Sequence, residues 1–317
     1  QKVTQTMIDF TTLAATYSIT AHDSTTGEVG VAVQTHQMGV GRLVPWLRPG
    51  VGAIATQALV NVSYGPNGLS LLANGASPEE VIAALTAADP GSAQRQVGVV
   101  DANGNAAAFT GTDCIAEAAH HVGEGYTVQA NMMTKDTVIP AMQAAYEGAE
   151  GDLAARMINA LEAAQAQGGD IRGKQSAALV IVPPTSENTP DWATLYNLRV
   201  DEATEPLIEL GRLVRLRRAE LISSLGHAAF ADGHVDEALN TWATARAMAP
   251  ELEEIAFWQA VTLADAGEIA QAVDVFGPVF EMDPLRDQWV ELVTRLEAAK
   301  IITRPGAAAE FVAALGR

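Results

Sequence analysis

The chain has 317 residues, 48% hydrophobic and 18% charged, which describes a folded protein with room for two domains and excludes a disordered one. Its 19 basic residues against 38 acidic ones leave a net charge of −19, so no basic face remains for non-specific nucleic-acid binding or for an anionic membrane surface. The single cysteine, Cys114, excludes an intrachain disulfide and a multi-cysteine zinc site, and it reads as a small buried residue.

The first two hundred residues mix strand and helix signals. Thr16 to Thr20 and Glu28 to Val33 alternate about the turn residues Ser24-Thr25-Thr26-Gly27, which predicts a hairpin. Val51 to Leu59 is a third strand, and Tyr64 to Asn74 and Ser77 to Ala88 are helices. Ser77-Pro78-Glu79-Glu80 supplies an N-cap, a proline at the first helical position and early acids. Val97 to Val100 and Ala106 to Thr110 form a second hairpin about Asn103-Gly104, and Tyr126 to Met132 is a further strand. Helices follow over about 136–147 and 151–167, and Ala177 to Val182 is the last strand. Hairpins and paired helices predict an α+β domain of layered sheets with helices outside, not a doubly wound parallel fold.

Val51 to Pro78 is uncharged, but Asn61, Ser63, Gly65, Pro66, Asn67, Gly68, Asn74 and Gly75 interrupt it, so it is not a membrane span. Residues 1–15 lack a basic region followed by an apolar run, and the cytoplasm is the expected location. The run from Pro183 to Pro190 is a composition break, followed by a short extended piece, Ala193 to Val200. Beyond about residue 204 there is no strand signal, and a repeat emerges. Gly233, Ala238, Trp242 and Pro250 recur as Gly267, Ala272, Phe276 and Pro284, each step being 34 residues. The first unit resembles a tetratricopeptide repeat, with Leu225-Gly226 at the expected spacing; the second has Gln259-Ala260 there. Asp287 to Ala299 is expected to cap the array, and an ordinary helical bundle is the alternative. The expected division is 1–15 as an extension, 16–200 as the mixed domain and 201–317 as the helical one.

No dinucleotide-binding, phosphate-loop, zincin or nucleophile-elbow motif is present. His120 and His121 are adjacent and cannot easily share a ligand. Glu117 and His121 would share a helical face, which makes a two-ligand metal site at best, so neither metal nor cofactor is expected. His22 and His36 end the two arms of the first hairpin. Three segments place polar groups at strand ends: the glycine-rich loop Gly168 to Ser176, the run Tyr126 to Asn131 and the junction Asn61 to Pro66. Each alone reads as a turn or cap; together they suggest a site at a sheet edge.

The runs TYSITAHDSTTGEVGVAVQTH, LVPWLRPGVGAIATQALVNVSYGPNGLSLLANGASPEEV, RQVGVVDANGNAAAFTGTDC, VQANMM and GGDIRGKQSAALVIV resemble the bacterial family catalogued as domain of unknown function 1028, over about residues 15–200. That family looks like a member of the N-terminal-nucleophile (Ntn) hydrolases, which implies a four-layer αββα sandwich. The C-terminal half resembles an extension labelled peptidoglycan-binding in related proteins, although the helical repeat matches known wall-binding folds poorly.

The resemblance implies an amidohydrolase in which the first mature residue attacks a C–N bond and its free α-amine is the base; such an amine has a pKa of about 7.7–8. The matching residue is Thr16. Asn131 or backbone amides would hold the oxyanion, and Arg172 would bind an anionic substrate group. His36, Gln57, Asn61 and Tyr64 are pocket candidates, with Asp170, Gln175 and Ser176 from the loop beside them. Fifteen residues precede Thr16, and an amide nitrogen cannot act as base. The chain is therefore an unprocessed precursor, or another group does the chemistry, or it is a catalytically silent scaffold whose helical repeats bind a protein or wall polymer. The expected substrate is a small amide, ureido or peptide-like molecule. The expected assembly is a homo-oligomer, most simply a dimer, because the first domain is Ala-rich and weakly charged.

Overall fold

The computed structural model describes residues 12–14, 16–187, 189–282 and 284–316. Most of the expected extension, residues 1–11 and 15, lies outside the described residues. The chain divides into two units, 1–214 and 215–317.

Among the described residues, eleven strands and four helices precede a fifth helix. In chain order these are β1 (Thr12–Ala14), β2 (Thr16–His22), β3 (Val29–Thr35), β4 (Pro45–Arg48), β5 (Gly52–Val60), α1 (Tyr64–Ala73) and α2 (Pro78–Ala88). They continue as β6 (Arg95–Asp101), β7 (Ala106–Thr110), β8 (Ala119–Gly123), β9 (Tyr126–Ala130), α3 (Val138–Gly148), α4 (Leu153–Ala166), β10 (Ser176–Val182) and β11 (Tyr196–Val200). Every strand pair among the described residues is antiparallel. The first sheet runs β1-β5-β6-β7, with β4 also on β5; the second runs β11-β10-β3-β2-β9-β8. Mixed α and β structure with antiparallel sheets, followed by a helical region, is the architecture expected from the sequence.

The hairpin β2–β3 turns where Asp23 accepts from the backbone N–H groups of Thr25 and Thr26, with Gly27 at φ 74°. Its strands are buried almost throughout because both faces are covered. Odd residues Tyr17, Ile19 and Ala21 alternate with Thr16, Ser18 and Thr20, which belong to a polar layer between the sheets. Beside that layer, Val31, Val33 and Ala178 of the second sheet pack with Ala53, Ala55 and Val60 of the first. Helices α1 and α2 pack on the first sheet through Leu69, Leu72, Val81, Ile82 and Leu85 against Ile54, Val97 and Val99. Helices α3 and α4 pack on β2, β3, β8 and β9. Ser77 caps α2 with a reciprocal capping box to Glu80. Gly65 in α1 allows the Trp46 ring to pass; a Cβ there would lie 2.1 Å from it.

Three local readings are corrected. Residues 119–123 form strand β8, so Glu117 and His121 share no helical face. Ala177 to Val182 is not the last strand, because the extended piece after the proline-rich break contributes β11 to the second sheet. Strands β1 and β4 had no sequence signal. The strand expected to reach Met132 ends at Ala130, since Met132 turns to φ 57°.

A long helix, α5 (Pro206–Ala231), runs across the division between the units. The second unit continues with α6 (Val235–Met248), α7 (Glu253–Asp265), α8 (Ile269–Met282), α9 (Arg286–Ala298) and α10 (Ala307–Ala314), and no strand occurs among its described residues. The 34-residue spacing has a physical counterpart. Gly233 and Gly267 take φ 83° and 93° at the α5–α6 and α7–α8 turns. Ala238 and Ala272 are fully buried, as are Trp242 and Phe276. Pro250 and Pro284 follow the ends of α6 and α8. Helix α9 does not close the array, because α10 follows and buries Phe311 in the same core.

Trp242 stacks on Phe230 and donates its indole N–H to the Ser223 carbonyl. Trp242→Ala is expected to cost about 3–5 kcal/mol through the cavity it leaves. Urea unfolding checks this, and a loss under about 1 kcal/mol would contradict the packing described.

No helix among the described residues is long and apolar enough to cross a membrane.

Candidate active site

The register of the second sheet aligns four polar residues from four neighbouring segments. Thr16 pairs with Thr35 on β3, and Thr35 pairs with Ser176 on β10. On the other side of β2, Tyr17 pairs with Ala130, and the next residue, Asn131, donates its backbone N–H to the Thr16 carbonyl at 3.1 Å. Ser176, Thr35, Thr16 and Asn131 thus form a row across one end of the sheet, all buried.

Three side-chain amides approach this row from between the sheets. Gln57 on β5 directs Nε2 to the Thr16 carbonyl at 3.1 Å and to Gln96 Oε1 at 2.7 Å, while its Oε1 accepts from Ser18 at 2.6 Å. Asn131 Nδ2 donates to Gln96 Oε1 at 3.0 Å and lies 3.5 Å from the Thr16 carbonyl. Gln96 Nε2 returns to the Ala130 carbonyl at 2.9 Å and to Thr110. The network extends through Gln129, Thr127 and Thr20. Such a layer is costly unless its members satisfy one another, as these do. Gln57 and Asn131 are each followed by a non-glycine residue in the left-handed region, Ala58 at φ 71° and Met132 at φ 57°. Strain of this kind persists only where the surroundings enforce it.

The glycine-rich loop closes over the same end. Asp170, 1% exposed, anchors it. Its Oδ1 accepts from the Arg172 backbone N–H at 2.9 Å and from Arg172 Nε at 3.1 Å. Its Oδ2 accepts from the His36 backbone N–H and from Arg172 Nη2, each at 2.9 Å. Gln175 donates its backbone N–H to the Thr35 carbonyl at 3.0 Å. The Ser176 hydroxyl donates to the Gln37 carbonyl and accepts from the Val40 N–H. Burial and then the Asp170 charge push the Tyr17 phenol well above its ordinary pKa.

The structure therefore brings Thr16, Asn131, Gln57, Asp170, Arg172, Gln175, Ser176 and the His36 backbone to one end of the second sheet. Two readings change in detail. The Arg172 fork is held by Asp170 rather than presented alone to a ligand, and Ser176 is tied into the loop. Thr35 and Gln96 were missed; each is a polar residue at or next to the end of a buried strand, beside another polar residue. His22 pairs with Val29 at the opposite end of the hairpin.

Asn61 and Tyr64 line a different cavity of about 420 Å³ with Asn67, Ser70, Leu85 and Asp89, and no member of the Thr16 group lines it. Strand β5 ends at Val60, and Asn61 turns outward to accept from Ser63 and donate to Asp89. Hydrogen bonding from Arg95 is the main influence holding the Asp89 carboxyl well below its ordinary pKa. A depressed carboxylate stabilises the fold above the unfolded value, about 3.9, and that stability is lost as pH falls toward the folded value. The first unit is thus expected to lose urea resistance as pH falls below about 4, and Asp89→Asn is expected to flatten that dependence. An unchanged pH slope in the variant would contradict the assignment.

Fold and site together define an α+β protein with an antiparallel two-sheet unit, a polar cluster at one sheet end and a helical C-terminal region. The chain belongs to the Family of unknown function (DUF1028), whose model matches residues 16–210. It is also similar to a solved structure, the crystal structure of protein SPO2555 from Silicibacter pomeroyi, itself described as DUF1028. The identity is 31% and the TM-score 0.56, over 63% of this chain and 88% of that one. No protein with a curated description matches the chain.

Proposed function

We propose that residues 16–200 form an Ntn-type amidohydrolase of αββα design, followed by a tetratricopeptide-like helical domain over 201–317, and that Thr16 is the nucleophile once it carries a free amine. One observation carries the reading. The backbone lies in the first sheet at Ala14 and in the second at Thr16, so the bond before Thr16 falls where the chain changes sheets. Cutting there would leave Thr16 as the first residue of a strand, beside Asn131 and Gln57. The family match also begins at Thr16.

In this reading the Thr16 amine, with a pKa of about 7.7–8, takes the proton from Oγ1 as that oxygen attacks the amide carbon. Asn131 stabilises the oxyanion. The C–N bond breaks, the leaving amine takes the proton, and an ester remains on Thr16. Water, deprotonated by the same amine, then releases the carboxylate and restores the hydroxyl. Arg172, oriented by Asp170, supplies positive charge at the substrate end of the site.

The test is a chain starting at Thr16, its N-terminus checked by intact mass, assayed on a panel of amide, ureido and peptide compounds. Turnover is expected there and not in the full chain, and Thr16→Ala is expected to lower it by about 10³-fold or more. Unchanged turnover in Thr16→Ala would remove Thr16 from the mechanism. No turnover across the panel would favour the silent scaffold. That second reading draws on a pocket of about 370 Å³ in the helical unit, lined by Glu220, His227, Glu253, Glu254 and Trp258, where a partner protein or wall polymer could bind.

The homo-oligomer remains part of the proposal. Met38 and Ile171, exposed on the two loops that meet at Asp170, are surface a second copy would cover. Light scattering that gives a 33.2 kDa particle at micromolar concentration would contradict it.

A further inference from the structure

We infer that the edge Ala58–Val60 of β5 is the acyl-side subsite of the proposed hydrolase, and that it takes an extended peptide with a small residue at the bond to be cut. This rests on the Thr16 reading. Along one side β5 pairs with β6 over Gly52–Ala58. Along the other, β4 covers Gly52–Ala55, and β1 covers Ala58–Val60 in the register Thr12 to Val60, Leu13 to Leu59 and Ala14 to Ala58. Without β1 that stretch of edge would offer unpaired backbone groups, which is the arrangement that adds a strand from a ligand.

The occupant already there indicates the ligand's chemistry. Residues 12–14 precede the Ala15–Thr16 bond, so they are the acyl half of that amide. They lie extended and antiparallel on the edge and end two residues before Thr16. Ala58, the partner of Ala14, directly follows Gln57, whose amide reaches the Thr16 carbonyl at 3.1 Å. A strand seated on Ala58–Val60 therefore leads toward Thr16. A compact ureido compound could not span three paired residues; a peptide backbone does. Ala14 and Ala15 set the side-chain size next to the bond as small.

In the full chain the leader is a tethered competitor at an effective concentration on the order of millimolar. A fluorescein-labelled Thr-Leu-Ala-Ala peptide, titrated by anisotropy, should therefore bind the full chain weakly. Neighbouring N–H groups in a strand point to opposite sides, so Leu13→Pro/Ala14→Pro removes at least one that faces β5. A second full-chain variant, Thr12→Gly/Leu13→Gly/Ala14→Gly, weakens the leader strand without proline. Both should bind the peptide at least tenfold more tightly than wild type, and a backbone N-methylated peptide should bind at least tenfold less tightly than its parent. Folded variants that bind no tighter than wild type, or equal binding of the N-methylated peptide, would overturn the inference. The readout is binding, so it separates from catalysis. Peptide capture without amide turnover would retire the hydrolase and keep the strand subsite. Turnover of ureido compounds by a Thr16-led chain, without peptide capture, would do the reverse.

Discussion

Asp170→Ala should destabilise the first unit by about 3–5 kcal/mol, the loss expected when one partner of a buried ion pair is removed. The carboxylate is buried, and it ties the glycine-rich loop to the end of β3 by accepting from the His36 backbone, the Arg172 backbone and the Arg172 fork. Alanine leaves those donors without their acceptor. The Arg172 side chain keeps 29% exposure, so part of its charge can be rehydrated, which places the loss nearer the lower figure. Asp170→Asn should recover little, because its amide nitrogen must face one set of donors. Thermal and urea unfolding measure the change. A loss below about 1 kcal/mol would mean that the loop is held by other contacts.

Gly98→Val should be nearly as severe, about 3 kcal/mol or more, and should act on the other half of the site. Gly98 lies on β6 where the polar layer of the second sheet comes closest. A Cβ there would stand 2.3 Å from Gln129 Oε1 and 2.4 Å from Thr127 Oγ1. Neither group can retreat without breaking hydrogen bonds to Ser18 or Thr20. The sheets must separate or the network must lose members, and both outcomes leave buried polar groups unsatisfied. Gly98→Ala should show a reduced version of the same loss. A wild-type unfolding midpoint in Gly98→Val would contradict the close approach of the sheets.

Elements with local chemistry were legible. The turn after Asp23, the Ser77 capping box and the 34-residue spacing each use residues a few positions apart, so their patterns survive in one dimension. Strands β1, β4 and β8 were obscured because each is short, and β1 in addition pairs far along the chain with Ala58–Val60. The sequence Ala-His-His-Val-Gly of β8 has no period that distinguishes strand from helix.

The site divides in the same way. Thr16, Asn131 and the loop Asp170–Ser176 were read from polar groups at strand ends and from the family resemblance. Thr35 was recoverable, because a hairpin pairing His22 with Val29 must pair Thr16 with Thr35. Gln96 was not, since its role depends on the facing sheet. Asn61 and Tyr64 were grouped with Gln57 by proximity in sequence. At Ala58 the backbone enters the left-handed region, and after Val60 it leaves the sheet for α1, which carries both residues to the Asp89 cavity.

The most direct test of the account is to trap the acyl group. A chain starting at Thr16 is mixed with an activated amide in a single turnover, quenched in acid and mapped by mass. An adduct of the acyl mass is expected on the peptide that begins at Thr16, and none in Thr16→Ala. Amide hydrolysis that proceeds equally in Thr16→Ala, or an adduct confined to another residue, would contradict it.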